Sequence, residues 1–282
     1  MKKTHKKIKM RFSEKLFFMC LLLFNTFFLC TCGLDKYEYI ESPDYLIHRP
    51  YETSTFENKY FEFKTKPSSS AAFKGTAVYY RIYNSLSKMN TDVGTITNYI
   101  YSEDNKAKAA EKLLSTNEKN QGFKPLLYWD PASNQYYNEP ILVNADHYSG
   151  KESYNIKIRL SDYQYDETED PMVKPYSNML QNYAYMAYII FDDNADAIKR
   201  PIRYVENLTF NFGRYSKETN SRKPDAEDLD VCYSETTSED DENRWYVPLF
   251  AVGVAMDDSY TYNYSVPLYM GFVIINDDEM NN

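Results

Sequence analysis

The sequence predicts a mainly β domain, and three observations carry that prediction. Aromatic residues make up 17% of the chain, with 29 Tyr and 16 Phe against only 8 Gly. Such side chains suit pleated, half-buried strands and can fill a sizeable core. Several segments alternate apolar and polar residues with a period of two, whereas a single segment carries an apolar stripe at clearly helical spacing.

Taken in order, residues 56–64 read as the first strand. Residues 76–83 (TAVYYRIY) are apolar on both faces and so belong in the middle of a sheet. Ser102 caps the predicted helix, with Glu103 and Asp104 in the first turn against the dipole. Ala107, Ala110, Leu113 and Leu114 form its stripe, which runs to about Ser115. Tyr154, Ile156, Ile158 and Leu160 then alternate with Ser153, Asn155, Lys157 and Arg159, as for a strand with one solvated face. Residues 183–191 (YAYMAYIIF) fit a buried strand or a buried helix, and their aromatic content and short length favour the strand. Tyr204, Leu208, Phe210 and Phe212 line one face of another strand, with Glu206 breaking the row. Residues 246–256 and 266–275 are further central strands.

Polar, irregular stretches fall at 67–71, 162–175 and 215–243. The last holds DAEDLD and SEDDEN, acidic enough to repel itself and stay solvated. They read as long loops within one domain.

The N-terminus has a different character. Lys2, Lys3, Lys6, Lys7, Lys9, Arg11 and Lys15 precede an apolar run at residues 16–29 (LFFMCLLLFNTFFL). Its fourteen positions suit the core of a signal peptide and fall short of the roughly 20 needed to span a bilayer as a helix. Leu29-Cys30-Thr31-Cys32-Gly33 follows and resembles a bacterial lipobox: leucine at −3, a small residue at −1 and cysteine at +1. Thr31 stands where Gly or Ala is commonest. Cys30 is the poorer acceptor because Phe28 and Leu29 are bulky; an uncleaved N-terminal anchor is the other reading. Cleavage between Thr31 and Cys32, with acyl chains such as palmitate on Cys32, gives a membrane-anchored mature chain. Two or more chains make such an anchor stable, since each buried methylene contributes roughly 0.8 kcal/mol.

These bounds divide the chain into a signal peptide (1–31), a lipidated tether (32–42), a single β-rich domain (43–276) and an acidic tail (277–282). The domain carries an insertion at about 100–245 that holds the short helix. The tether spans ~40 Å at most. Removal of the signal leaves 25 basic against 40 acidic residues, a net of −15. That balance opposes binding to nucleic acid. Of the four cysteines, Cys20 and Cys30 leave with the signal and Cys32 is acylated. Cys232 then remains as one free thiol, so the exported domain relies on core packing without an internal disulfide.

No HExxH, CxxC pair, Walker A loop, GxSxG elbow or GxGxxG occurs. Outside the signal the histidines are His48 and His147; His147, beside Asp146, could be half of a catalytic pair, but with no serine or cysteine in a nucleophile setting it reads as a loop histidine. Asp192, Asn194 and Asp196 copy the opening of an EF-hand loop, but Ala197 replaces the required Gly and Arg203 replaces the closing Glu. A looser calcium site with Asp193 is the alternative to a solvated turn; Asp257 and Asp258 also read as a turn. The expectation is no catalytic residue, no metal ligand and no cofactor.

Several segments carry a resemblance. CGLDKYEYI from Cys32, followed by Pro43, resembles the start of spirochaete (treponemal) surface lipoproteins. So do Phe73-Lys74-Gly75 leading into VYYRIYN, the segments AAEKLL, GFKPLLY and Pro140-Ile141-Leu142, and the C-terminal VPLFAVGVAMDD with YSVP and LYMG. The resemblance implies an envelope lipoprotein and carries no catalytic residues. Within it, VYYRIYN and YVPLFAVGVAMDD also resemble strands of fibronectin type III and other immunoglobulin-like β-sandwiches. Such a sandwich needs about 100 residues, so it must accommodate the large insertion; an irregular β-rich α+β domain is the alternative. The functional expectation is a non-enzymatic, lipid-anchored binding module of the cell envelope, in the outer membrane, with a protein or glycan partner. A periplasm-facing structural or assembly lipoprotein is the second reading, and a glycan-active enzyme with paired carboxylates the third.

Overall fold

The computed structural model describes residues 40–52, 54–115, 122–148, 150–162, 186–192, 198–205, 212, 224–238 and 241–276. The chain divides into Met1–Glu38 and Tyr39–Asn282, and every described residue lies in the second unit. The signal, Thr31, Cys32, the acidic tail and the turn residues Asp193, Asn194 and Asp196 lie outside the described residues. Among the described residues no helix is long and apolar enough to cross a membrane.

The domain is mainly β. The spine of its eight-stranded sheet is β13 (Arg244–Met256), which pairs antiparallel with β3 (Phe73–Tyr80) along one edge. Along the other run β15 (Leu268–Asn276) and β14 (Tyr262–Tyr264). β4 (Ile82–Tyr83) continues β3, and β12 (Val231–Cys232) pairs with it in parallel. Two short strands, β5 (Lys124–Pro125) and β8 (Val143–Asn144), add to β3. A four-stranded antiparallel sheet has the order β1 (Tyr45–His48), β2 (Phe61–Thr65), β9 (Tyr154–Arg159), β10 (Tyr188–Phe191). A three-stranded sheet joins β11 (Arg200–Ile202), β6 (Leu127–Asp130) and β7 (Gln135–Tyr137).

Strand alternation explains why the large sheet is buried on both sides. Val247, Leu249, Ala251 and Ala255 of β13 join Val78, Tyr80 and Ile82 in one core. Phe61, Phe63, Ile156, Ile158 and Ile189 of the four-stranded sheet complete it. The intervening residues Tyr246, Phe250, Val252 and Val254 pack with Ala77, Tyr79 and Tyr83 in a second core on the opposite face. Two helices contribute there: α1 (Leu86–Tyr101) through Met89, Val93 and Ile96, and α2 (Ala109–Leu114) through Leu113.

Helix α1 is a correction to the expected single short helix. Its Thr, Asn and Gly residues disfavour a helix locally, yet Met89, Val93 and Ile96 fall on one stripe that the sheet buries. Ser85 caps it by accepting from the Lys88 amide. Ser102 does not open a long helix but ends α1; the segment after it forms a 3-10 turn at Lys106–Lys108 and then the six-residue α2.

Several strands differ in extent from expectation. The strand expected at 56–64 begins only at Phe61, after a 3-10 turn at Phe56–Asn58. Strand 76–83 is broken at Arg81, between β3 and β4. Leu249 pairs with Tyr80 and Tyr246 with Tyr83, so Arg81 falls opposite Pro248, which has no amide hydrogen to donate. The ambiguous segment at 183–191 is a strand over Tyr188–Phe191. Of the strand expected at 204–212, Tyr204 and Val205 are irregular and Phe212 is buried; residues 206–211 lie outside the described residues. Arg159, expected on a solvated face, is buried with its guanidinium between the rings of Phe56 and Tyr188, 4.6 and 4.8 Å from their centroids.

The acidic stretch departs furthest from expectation. Asp228 and Asp230 of DAEDLD are not solvated but hold Arg203, a guanidinium 1% exposed. Arg203 Nε donates to Asp230 Oδ2 at 2.9 Å, and Nη2 donates to Asp230 Oδ1 at 2.7 Å and Asp228 Oδ2 at 2.8 Å. The Tyr80 hydroxyl donates to Asp230 Oδ2 at 2.5 Å and accepts from the Tyr204 amide at 2.6 Å. Burial alone would lower the Arg203 pKa, but its bonds to the two carboxylates outweigh it and hold the guanidinium above its usual value.

Candidate functional site

The hairpin of β6 and β7 presents two adjacent exposed tyrosines, Tyr136 and Tyr137. Asp130 starts its turn by accepting from the Ala132 amide at 3.0 Å, and Asn134 closes it with φ of 53°. Every residue from 131 to 139 is exposed. Across the pair, Trp129 stands opposite Tyr136 and Tyr128 opposite Tyr137. Because opposite residues share a face, the hairpin shows the Trp129–Tyr136 pair on one side. On the other, Tyr137 stacks on the buried Tyr128 with centroids 4.6 Å apart. Tyr136 is 52% exposed and Tyr137 37%.

The rest of the sheet anchors the base of this hairpin. β11 pairs with the inner edge of β6, setting Arg200 opposite Trp129 and Pro201 opposite Tyr128. Lys199 Nζ lies 2.7 Å from Asp130 Oδ2. Burial would raise the Asp130 carboxyl, but the hydrogen bonds from Lys199, the Ala132 amide and Ser133 keep it below the usual carboxylate value. Tyr128 is pushed up to about 12 by burial and by Tyr137 beside it, so it stays a neutral phenol in the physiological range. β7 is the edge of the sheet. The result is an exposed surface of amphipathic tyrosine side chains, which can stack on and hydrogen-bond to a partner at small entropic cost.

The residues singled out in the sequence serve local structure. His147 is exposed in a 3-10 turn, and its carbonyl accepts from the Tyr154 hydroxyl at 2.6 Å. The His48 ring stacks on Tyr60 at 4.0 Å, with Nδ1 2.8 Å from the Tyr60 carbonyl. Asp192 ends β10 in a turn: one oxygen accepts from the Asn155 amide and the other from Lys151 Nζ, both at 2.7 Å. Asp257 accepts from the Ser259 and Thr261 amides at 2.9 and 2.8 Å in the β13–β14 connection, where Asp258 is exposed. Cys232 is buried, and desolvation raises its thiol pKa. Among the described residues no three His, Cys, Asp or Glu side chains are grouped to hold a metal ion.

Tyrosine content by itself does not separate the exposed side chains from the buried ones. The available signal was the pattern LYWDPASNQYY, two aromatic pairs flanking a Pro-Ala-Ser-Asn turn. No protein-family model, curated protein or solved structure matches the chain.

Proposed function

We propose that the chain is a lipid-anchored protein of the cell envelope, in the outer membrane, whose β-rich domain is a non-enzymatic binding module. Its contact surface is the β6–β7 hairpin, and the observation that carries this reading is the adjacent exposure of Tyr136 and Tyr137 on an edge strand. The partner is a protein or glycan bound through aromatic stacking and phenolic hydrogen bonds. The basic–apolar–lipobox order ending at Cys32 supports the anchor. The treponemal lipoprotein resemblance belongs to this proposal, as does an immunoglobulin-like packing of two sheets. The core shared by the eight- and four-stranded sheets supports that packing; the helical layer on the outer face goes beyond a plain sandwich.

A photo-crosslinking residue placed at Tyr136 of the full chain in intact cells tests the binding surface. One defined adduct is expected, absent when the probe sits instead at Tyr101, which is 78% exposed on α1. The same adducts from both positions would overturn the assignment. Cys32→Ser is expected to abolish fatty-acid labelling and release the protein from membranes; persistent labelling would refute the anchor. Protease digestion of intact cells would place the domain outside. Protection until lysis would support the periplasm-facing structural alternative, which uses the same anchor.

A further inference from the structure

We propose that the outer strand β1 rests on the headgroup layer of the bilayer that carries the anchor, which holds the β6–β7 hairpin away from the membrane. The inference deepens the function proposed above and rests on acylation of Cys32.

The chain enters the domain at a fixed point. Ile40 is buried, and the backbone passes so close to Gly253 that a Cβ added there would sit 2.6 Å from the Glu41 carbonyl oxygen. The Ser42 hydroxyl donates to the Val266 carbonyl. Ile40 is the eighth residue after Cys32, so a fully extended tether reaches ~29 Å.

Just inside that point lies an exposed strip. Tyr45 is 51% exposed, Ile47 45% and Tyr51 65%. Leu46, opposite Phe63, packs against the core, and Tyr45, opposite Lys64, faces outward. Between Leu46 and His48 the register shifts, and the added residue is Ile47. Each tyrosine carries a cation over its ring: Lys64 Nζ is 5.9 Å from the Tyr45 centroid and the Arg49 guanidinium 5.8 Å from that of Tyr51. Tyr51 sits in a turn, where its amide donates to Ser54 Oγ at 2.8 Å and its carbonyl accepts from the Ser54 amide at 3.0 Å.

The chemistry of this strip fits the headgroup layer. Tyrosine rings beside Lys and Arg settle where one end is apolar and the other wet. β1 is the last strand of its sheet, and its outer backbone groups need water or polar headgroups, which sets the contact at the interface rather than in hydrocarbon. Charge favours the same face. Residues 41–66 hold five acidic and four basic residues, against 33 and 20 over residues 67–282, so anionic lipid repels this region least. Once the anchor holds the domain at the surface the contact is intramolecular, and a weak one suffices.

The place of the hairpin follows from the strand order. Ile189 and Lys199 exchange backbone hydrogen bonds of 2.8 and 2.9 Å, which joins β10 to the start of β11. The strands therefore run β1-β2-β9-β10-β11-β6-β7. Six interstrand steps of about 4.8 Å put β7 as much as ~29 Å from β1. With β1 on the bilayer, Tyr136 and Tyr137 face outward to meet a partner.

Fluorescence quenching tests this orientation. Ile47→Cys and, separately, Tyr136→Cys in the acylated chain are labelled with an environment-sensitive fluorophore; Cys232 is buried and stays unlabelled. The proteins are reconstituted in phosphatidylcholine vesicles, and flotation with the vesicles reports the anchor itself. A headgroup nitroxide lipid is expected to quench most of the emission at position 47 and to leave position 136, which aqueous iodide quenches instead. Tyr51→Cys is expected to repeat the result at a second position should Ile47→Cys fold poorly. Flotation with iodide quenching at both positions, or lipid quenching at both, would overturn the proposal and leave the anchor intact. Shielding of position 47 from both quenchers would mean that a protein, such as a second copy of the chain, covers β1, and would overturn it as well. Failure to float would remove the anchor and this proposal with it.

Discussion

Arg203→Met is expected to destabilise the domain by about 3–5 kcal/mol, read as a lower urea midpoint and a melting temperature roughly 10 °C lower. The arginine neutralises Asp230, a fully buried carboxylate, through a two-pronged contact and reaches Asp228 as well. Its loss leaves the Tyr80 hydroxyl and the Ile82 amide bonded to an aspartate whose charge no longer has a counterion. The effect should therefore reach both β4 and β12. In the double variant Arg203→Met/Asp230→Leu, much of the loss should return, because replacing both members removes the stranded charge. A single-variant loss below about 1 kcal/mol would show that water reaches the site and relieves the charge.

Gly75→Ala is expected to cost about 2–4 kcal/mol through backbone conformation and collision together. Gly75 has φ of +146°, and an added Cβ would sit 2.0 Å from the Val143 carbonyl oxygen. That oxygen belongs to β8, which pairs with β3 through Gly75 and Thr76. No side-chain rotation can relieve the clash, so β8 must part from β3. Thr76 would then lose its place against Thr65 and Tyr148, whose hydroxyls lie 2.5 and 3.2 Å away. Gly94→Ala on α1 is the internal control: nothing lies within 4 Å of the added carbon. It should stabilise by about 0.5–1 kcal/mol. Equal responses at the two glycines in urea titrations would refute the steric argument.

The sequence was legible where the pattern was both local and strong. β9, β13 and β15 fall where alternation or continuous apolar character put them, within a few residues. α1 was missed because its support is tertiary, the burial of Met89, Val93 and Ile96 against the sheet, while its threonines are poor helix formers whose hydroxyls (Thr91, Thr95 and Thr97) bond back to the carbonyls of Ser87, Thr91 and Val93. The helix owes its stability to the sheet beneath it rather than to propensity. Ser102 misled because an extended serine between two helical segments closes one while its carbonyl accepts from the Asn105 and Lys106 amides of the next. The acidic run misled because its counterion, Arg203, lies far upstream in sequence. The aromatic hairpin was missed because tyrosine composition does not separate core phenols such as Tyr80 and Tyr83 from exposed ones such as Tyr136.

The position of β13 in the chain has a kinetic consequence. The strand that pairs with β3, β4, β14 and β15 is among the last to emerge in synthesis, and Leu249 must find Tyr80 across most of the domain. Contacts this distant close slowly, because the entropy of the intervening loop is lost before any pairing repays it. Until residues 244–256 appear, neither core has its central layer, and β3 presents an open edge. The nascent polypeptide is therefore held open by its own topology until that strand arrives.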